Sequence, residues 1–193
     1  MAMMMKTGMA PIRKAALAAL LTTGLATTAH ADMARPPAAA RVAPAPATQA
    51  RDVTIADSQV YPESLSADAA GNLYVGSIKG IIYRAEAGTA TARPWIRPDA
   101  TNGLMWVLGV LADDRSGTLW TCTSPALFLT PPKAGTAAVV AFDLKTGAFK
   151  ARYPLPGPPS ACNDIAIAPD GTAFVTETNH GRIFTIAPGA KQV

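Results

Sequence analysis

The sequence predicts an all-β fold assembled from repeated four-stranded units, and three observations predict it. Beyond residue 52, short alternating runs rich in Val, Ile, Tyr, Phe and Trp are separated by clusters of Gly, Pro, Asp and Asn. No segment beyond residue 31 keeps apolar residues at i, i+3, i+4 and i+7 for three turns, so no amphipathic helix is expected. Most informative, one pattern recurs three times: ESLSADAAGNLYVGS from Glu63, LGVLADDRSGTLWTCT from Leu108 and NDIAIAPDGTAFVTE from Asn163. The turn glycines Gly71, Gly117 and Gly171 lie 46 and 54 residues apart, and an aromatic follows each by three residues: Tyr74, Trp120 and Phe174.

The elements follow in chain order. Residues 1–31 read as an export signal, with Lys6, Arg13 and Lys14 as a basic region before the apolar run AALAALLTTGLATTA (15–29). Ala29-His30-Ala31 is a small-x-small cleavage site. A membrane anchor is the alternative, but the run is short, diluted by Thr, and below the roughly 18 apolar residues that a span requires. Residues 32–51 are Ala- and Pro-rich without apolar period and are expected to form a disordered linker. Residues 52–193 then form the folded domain.

Removal of the leader changes the charge argument. The whole chain carries +4, whereas the processed chain would hold 14 basic and 13 acidic residues. That leaves no basic patch for nucleic acid, and no membrane association is expected after cleavage.

Each repeat contains a second hairpin: GIIYRAEAG, AAVVAFDLKTG and GRIFTIAPG. In each, an aromatic (Tyr83, Phe142, Phe184) lies five residues before a glycine. The runs TARPWI and FKARYPL supply a fourth strand to the first two units. Four short up-and-down strands recurring at this period are the signature of β-propeller blades. A β-sandwich also has short strands, but it does not predict matched glycine and aromatic positions. Propellers close with 4–8 blades, so a chain with about three is expected to be a truncated ring, or to complete one with further copies.

The polar residues at the starts of the first strands are the candidate site. Glu63 and Asn163 each lie eight residues before their turn glycine, so both are expected to face the channel at similar depth. Carboxylate and amide oxygens converging on an axis suit a hard divalent cation. Turn capping is the alternative role for such side chains. Asp164 follows Asn163, and strand alternation predicts that it points to the opposite face.

Other chemistry is excluded by what the sequence lacks. His180, in the turn TNHG, is the only histidine beyond the leader, so a multi-His zinc site and an H-E-x-x-H motif are absent. There is no G-x-S-x-G elbow and no Walker or dinucleotide-binding loop. Cys122 and Cys162 are either disulfide-bonded, as export would permit, or small buried thiols. Neither is expected to be a nucleophile. Residues 124–136, an insertion of the middle unit, are expected to form a channel-mouth flap with Leu127, Phe128 and Leu129 as apolar contacts, or else a loose loop.

YPESLSADAAGNLYVGS, FDLKTG and CNDIAIAPDGTAFVTET together resemble the senescence-marker-protein (regucalcin), gluconolactonase and lactonase-type six-bladed propellers, in particular exported bacterial members. The resemblance covers about 55–193, the N-terminal half of that domain. It implies one channel-bound divalent metal, Ca²⁺ or Zn²⁺, with Glu63 and Asn163 as ligands and a third ligand, an Asp, beyond Val193. Leu108 occupies the place where many members have a polar Asn. The implied activity is metal-dependent hydrolysis of a lactone or ester, incomplete in this chain, and no general base is identified. The rival function is a non-catalytic periplasmic binding propeller, and a degraded gene product is the third. Self-association through open blade edges and a periplasmic or secreted location complete the expectations.

Overall fold

A computed structural model describes residues 52–125 and 135–193, so the leader, the linker and the apolar triplet Leu127–Leu129 lie outside the described residues. Within them the chain is all-β, with twelve strands in three sheets. The first sheet holds β1 (Thr54–Ile55), β2 (Pro62–Ala67), β3 (Leu73–Ser77), β4 (Ile82–Ala85) and β5 (Thr91–Ile96). The second holds β6 (Trp106–Asp113), β7 (Thr118–Ser124), β8 (Ala138–Asp143) and β9 (Phe149–Pro154). The third holds β10 (Cys162–Ile167), β11 (Ala173–Glu177) and β12 (Arg182–Ile186).

Apart from β1, every sheet is an antiparallel meander in sequence order, as a propeller blade requires. The turn glycines that mark the repeat have positive φ, +86° at Gly71 and +92° at Gly171, a conformation that costs a residue with a Cβ. That requirement explains why glycine recurs at this position. β1 was not expected: it pairs in parallel with β5 at the outer edge of the first blade, Thr54 opposite Thr91.

The blades stack face to face, with β2 and β3 against β6, and β6 and β7 against β10. Each contact between blades is an apolar seam. The first seam gathers Tyr74, Ile82 and Ile96 of blade one with Val107, Val110, Leu119 and Phe142 of blade two. The second gathers Cys122, Val139 and Leu155 of blade two with Cys162, Ile165, Val175 and Ile186 of blade three. The repeated aromatics are therefore seam residues. Tyr74 and Trp120 point from their own blade into the following one.

Candidate functional site

The site begins with a register fault that all three first strands share. In β2, Pro62 pairs with Ser77 and Leu65 with Val75, so Glu63 and Ser64 stand opposite Gly76 alone. In β6, Leu108 and Gly109 stand opposite Cys122, and in β10 Asn163 and Asp164 stand opposite Thr176. Each is a two-against-one β-bulge, which bends the strand and re-aims the side chains at that point. Glu63, Leu108 and Asn163 are thus the same residue of the same bulge in three consecutive blades.

The bulge corrects the expected opposition of Asn163 and Asp164. Both are exposed, because the extra residue interrupts the alternation that would have turned one of them inward. Their hydrogen bonding separates them. The Asp164 carboxylate accepts the Ile165 N–H at 2.9 Å, and Thr176 Oγ1 accepts the Asp164 N–H at 3.0 Å. One oxygen of the Asp164 carboxylate therefore serves a local backbone donor, and Thr176 serves the Asp164 N–H. Among the described residues, the side chains of Glu63 and Asn163 make no hydrogen bond, so neither serves as a local cap.

Two glycines let the strands approach at this level. A Cβ on Gly109 would lie 2.6 Å from the Asn163 carbonyl oxygen, and one on Gly76 would lie 2.8 Å from Val107 Cγ1. The backbone that carries Asn163 is fixed further by a disulfide between Cys122 and Cys162, with Cα atoms 5.1 Å apart. Ser124 Oγ also donates to the Cys162 carbonyl at 2.9 Å. The start of β10 is therefore among the most tightly held parts of the molecule. Pairing removes Cys162 as a nucleophile.

Glu63 stands differently. It borders a depression of about 260 Å³ on the free face of the first blade, beside Val53, Ile55, Leu65 and Leu73. Glu63 and Asn163 belong to strands separated by β6, and apolar Leu108 occupies the bulge between them. Among the described residues, no group of three or more His, Cys, Asp or Glu side chains is arranged to hold a metal ion. Oxygen donors free of other partners fit a hard cation in kind, and two of them fall short of its usual 6–8 in number.

One carboxylate escaped the sequence reading. The Glu177 side chain is fully buried at the end of β11. Its Oε1 accepts the N–H groups of Ala161 (3.0 Å) and Asn179 (2.9 Å). Its Oε2 accepts the His180 N–H (3.2 Å) and Arg182 Nε–H (3.0 Å), with His180 Nδ1 at 3.1 Å. Burial alone would raise its pKa, but these donors outweigh it and hold the carboxyl at about 2. A carboxylate has about four lone-pair sites, so Glu177 has no capacity left for a ligand and organises the rim. His180 is exposed, as a turn residue should be, and also forms part of this cluster. A signal existed: Ser77 and Thr123 occupy the equivalent position, and the oxygen of each bonds the same rim.

Comparisons with known proteins agree with this architecture. Residues 49–85, covering β1 to β4 and Glu63, match the family described as strictosidine synthase-like, N-terminal. No curated protein matches the chain. Among solved structures, the chain is similar to the extracellular domain of a candidate one-component system from B. thetaiotaomicron. That likeness has 19% identity and a TM-score of 0.51, over 67% of this chain and 17% of the other. It is also similar to a candidate oxidoreductase (glucose dehydrogenase) from Thermus thermophilus, at 18% identity and TM-score 0.49, over 67% of this chain and 44% of that one. A PQQ-bound aldose sugar dehydrogenase from Streptomyces coelicolor gives 17% and 0.48, over 72% and 47%. The chain spans less than half the length of each. The fold is that of β-propeller blades, and the family match covers the first blade alone.

Proposed function

We infer that the chain belongs to a metal-dependent hydrolase of lactones or esters, with Glu63 and Asn163 contributing oxygen ligands at the channel end of the inner strands. The observation that carries this reading is their shared place. They occupy the same bulge in two blades and their side chains have no hydrogen-bond partner among the described residues, whereas one oxygen of neighbouring Asp164 accepts the Ile165 N–H. When bound, a divalent cation would supply Lewis acidity toward a carbonyl oxygen. Glu63 would contribute the negative charge of the set and Asn163 a neutral amide oxygen. The Cys122–Cys162 bond would hold the Asn163 backbone in place. We further propose that the protein is exported and processed after Ala31, in agreement with a disulfide that an oxidising compartment would maintain. Among the described residues, no helix is long and apolar enough to cross a membrane.

Affinity tests the assignment. Two oxygen ligands, one of them anionic, are expected to bind Ca²⁺ only weakly, on the order of 10⁻⁴–10⁻³ M, and the chain alone is expected to show no appreciable lactonase activity. Glu63→Gln should abolish the binding. Asn163→Asp should tighten it about tenfold by adding a charge. Calorimetric titration with Ca²⁺ and Zn²⁺ decides the matter, and affinity indifferent to both substitutions would overturn the reading.

A further inference from the structure

The first blade carries a charged pair that the repeat does not require. Arg84 of β4 stands directly opposite Arg93 of β5, in a row that begins with Tyr74 of β3. The same row holds Trp120, Ala141 and Ala151 in blade two, and Phe174 and Thr185 in blade three. Like charges directly opposite one another destabilise a sheet. Among the described residues, no carboxylate lies within ion-pair distance of either guanidinium. Arg84 is held over two rings instead, its guanidinium carbon 5.9 Å from the Tyr74 ring centre and 5.3 Å from that of Trp95. Its Nε–H is buried there without an acceptor.

Both arginines border a cavity of about 300 Å³, whose wall also includes Thr91, Pro94 and Trp95. Glu86 borders it too, and two guanidiniums against one carboxylate leave the wall with a net charge of +1. We propose that this cavity binds a small organic carboxylate. The planar donor forks of Arg84 and Arg93 match carboxylate oxygens in pairs, and the apolar body of the ligand lies along Trp95 and Pro94. A bare inorganic anion would use the charge but leave the aromatic wall and much of the volume to water. The charge pair explains itself in this way, because a bound anion offsets the repulsion that the sheet alone does not. The site is separate from Glu63 and Asn163, which stand on the first strands β2 and β10, whereas Arg84 and Arg93 stand on β4 and β5. It therefore does not rest on the hydrolase reading.

The experiment titrates the purified full chain with benzoate, acetate and inorganic phosphate at low ionic strength, read by calorimetry and by NMR. Benzoate should bind with a Kd on the order of 1 mM. It should bind more tightly than acetate or phosphate, because only benzoate has a ring to lay on Trp95. Chemical shifts should move at the amides of Arg84 and of 91–95 and at the Trp95 indole N–H, and stay fixed at Asn163 and at the Trp120 indole. Arg93 is exposed, so Arg93→Gln should keep the fold and weaken benzoate about tenfold. Arg84→Lys keeps the charge but removes the fork, and should weaken it by a similar factor. Glu86→Gln should tighten it a few-fold by removing a like charge. Absence of binding at about 20 mM benzoate would overturn the proposal. So would shifts centred elsewhere, an affinity indifferent to Arg93→Gln, or phosphate bound as tightly as benzoate, which would mark a plain anion patch.

Discussion

The two seams repeat one geometry and fasten it by different chemistry. At the first, the Tyr74 hydroxyl donates to the Asp68 carboxylate (2.9 Å) or the Leu144 carbonyl (3.2 Å), the latter in the next blade. Ser66 Oγ accepts the Ala112 N–H at 2.9 Å, and Asp114 accepts the Ala69 N–H at 2.8 Å. At the second, equivalent Trp120 leaves its buried indole N–H without a partner, and apolar Leu111 stands where Ser66 does. The second seam instead has the disulfide, at the position where the first has Gly76 against Val107. The repeat fixes the backbone path, and the seams differ in how their polar groups are partnered. The second seam has hydrogen bonds of its own, from the Arg115 guanidinium to the Ala168 and Pro169 carbonyls and from Ser124 Oγ to the Cys162 carbonyl, and the covalent bond is added to them.

The largest difference between the seams is expected from their aromatics. Tyr74→Ala should cost about 4–5 kcal/mol, because a fully buried ring and its hydroxyl bonds are lost together. Trp120→Ala should cost clearly less, since the ring is only half-buried and its N–H is unpaired. Equilibrium unfolding of both variants checks the order, and equal losses would show that the polar fastening of the first seam contributes little.

The disulfide comes next. It closes a separation of 40 residues, for which loop entropy gives about 4 kcal/mol as an upper value. Cys122→Ser with Cys162→Ser should therefore cost about 3 kcal/mol and act on one seam. Hydrogen exchange should quicken at the amides of 162–167 and leave those of 62–67 unchanged. Uniform quickening would mean that the two seams open as one unit.

Glu177 distinguishes the third blade from the first, where Ser77 holds the same place. Its carboxyl titrates at about 2 in the folded chain against 4.5 unfolded, so its contribution is complete above pH 4.5 and fades as pH falls toward 2. Glu177→Gln should cost about 3 kcal/mol at pH 7, as breaking a buried pair does. Denaturation at pH 7 and pH 3 measures the gap between the two proteins, which should narrow at the lower pH.

Much of this organisation could be read from the chain, and the rest for definite reasons could not. Turn glycines and seam aromatics are single-residue requirements, so Gly71, Tyr74 and their equivalents announce the blades. β1 has two residues and finds its partner 37 positions away, which no local period encodes. The bulge is a mismatch between two strands and so is invisible in either alone. Yet it left a trace: Pro62 and Leu65, Val107 and Val110, and Cys162 and Ile165 are each three apart, a spacing that a regular strand cannot place on one face. That odd step marks Glu63 and Asn163 better than their polarity does. Glu177 was missed because a carboxylate in a strand usually faces water, and its donors come from backbone and side chains that only folding assembles.

The smallest effect should come from moving the disulfide to the other seam. Gly76 and Val107 are the first-seam counterparts of Cys122 and Cys162, and a Cβ on Gly76 would lie 2.8 Å from Val107 Cγ1. Side chains that close are within reach of a bridge, for which Cβ atoms about 3.5–4.5 Å apart are needed. Gly76→Cys with Val107→Cys should thus oxidise spontaneously. The gain will be small. The same Cβ would lie 3.0 Å from the Val107 carbonyl oxygen, so the strands must separate slightly, and such overpacking costs about 1–3 kcal/mol. Against a loop-entropy term of about 3–4 kcal/mol, the net gain should fall between about 0 and 3 kcal/mol. Thiol titration reports whether the bond forms, and unfolding with and without reductant gives its contribution. If the pair stays reduced in air, the seams are not equivalent at this position, and the correspondence between Gly76 and Cys122 fails.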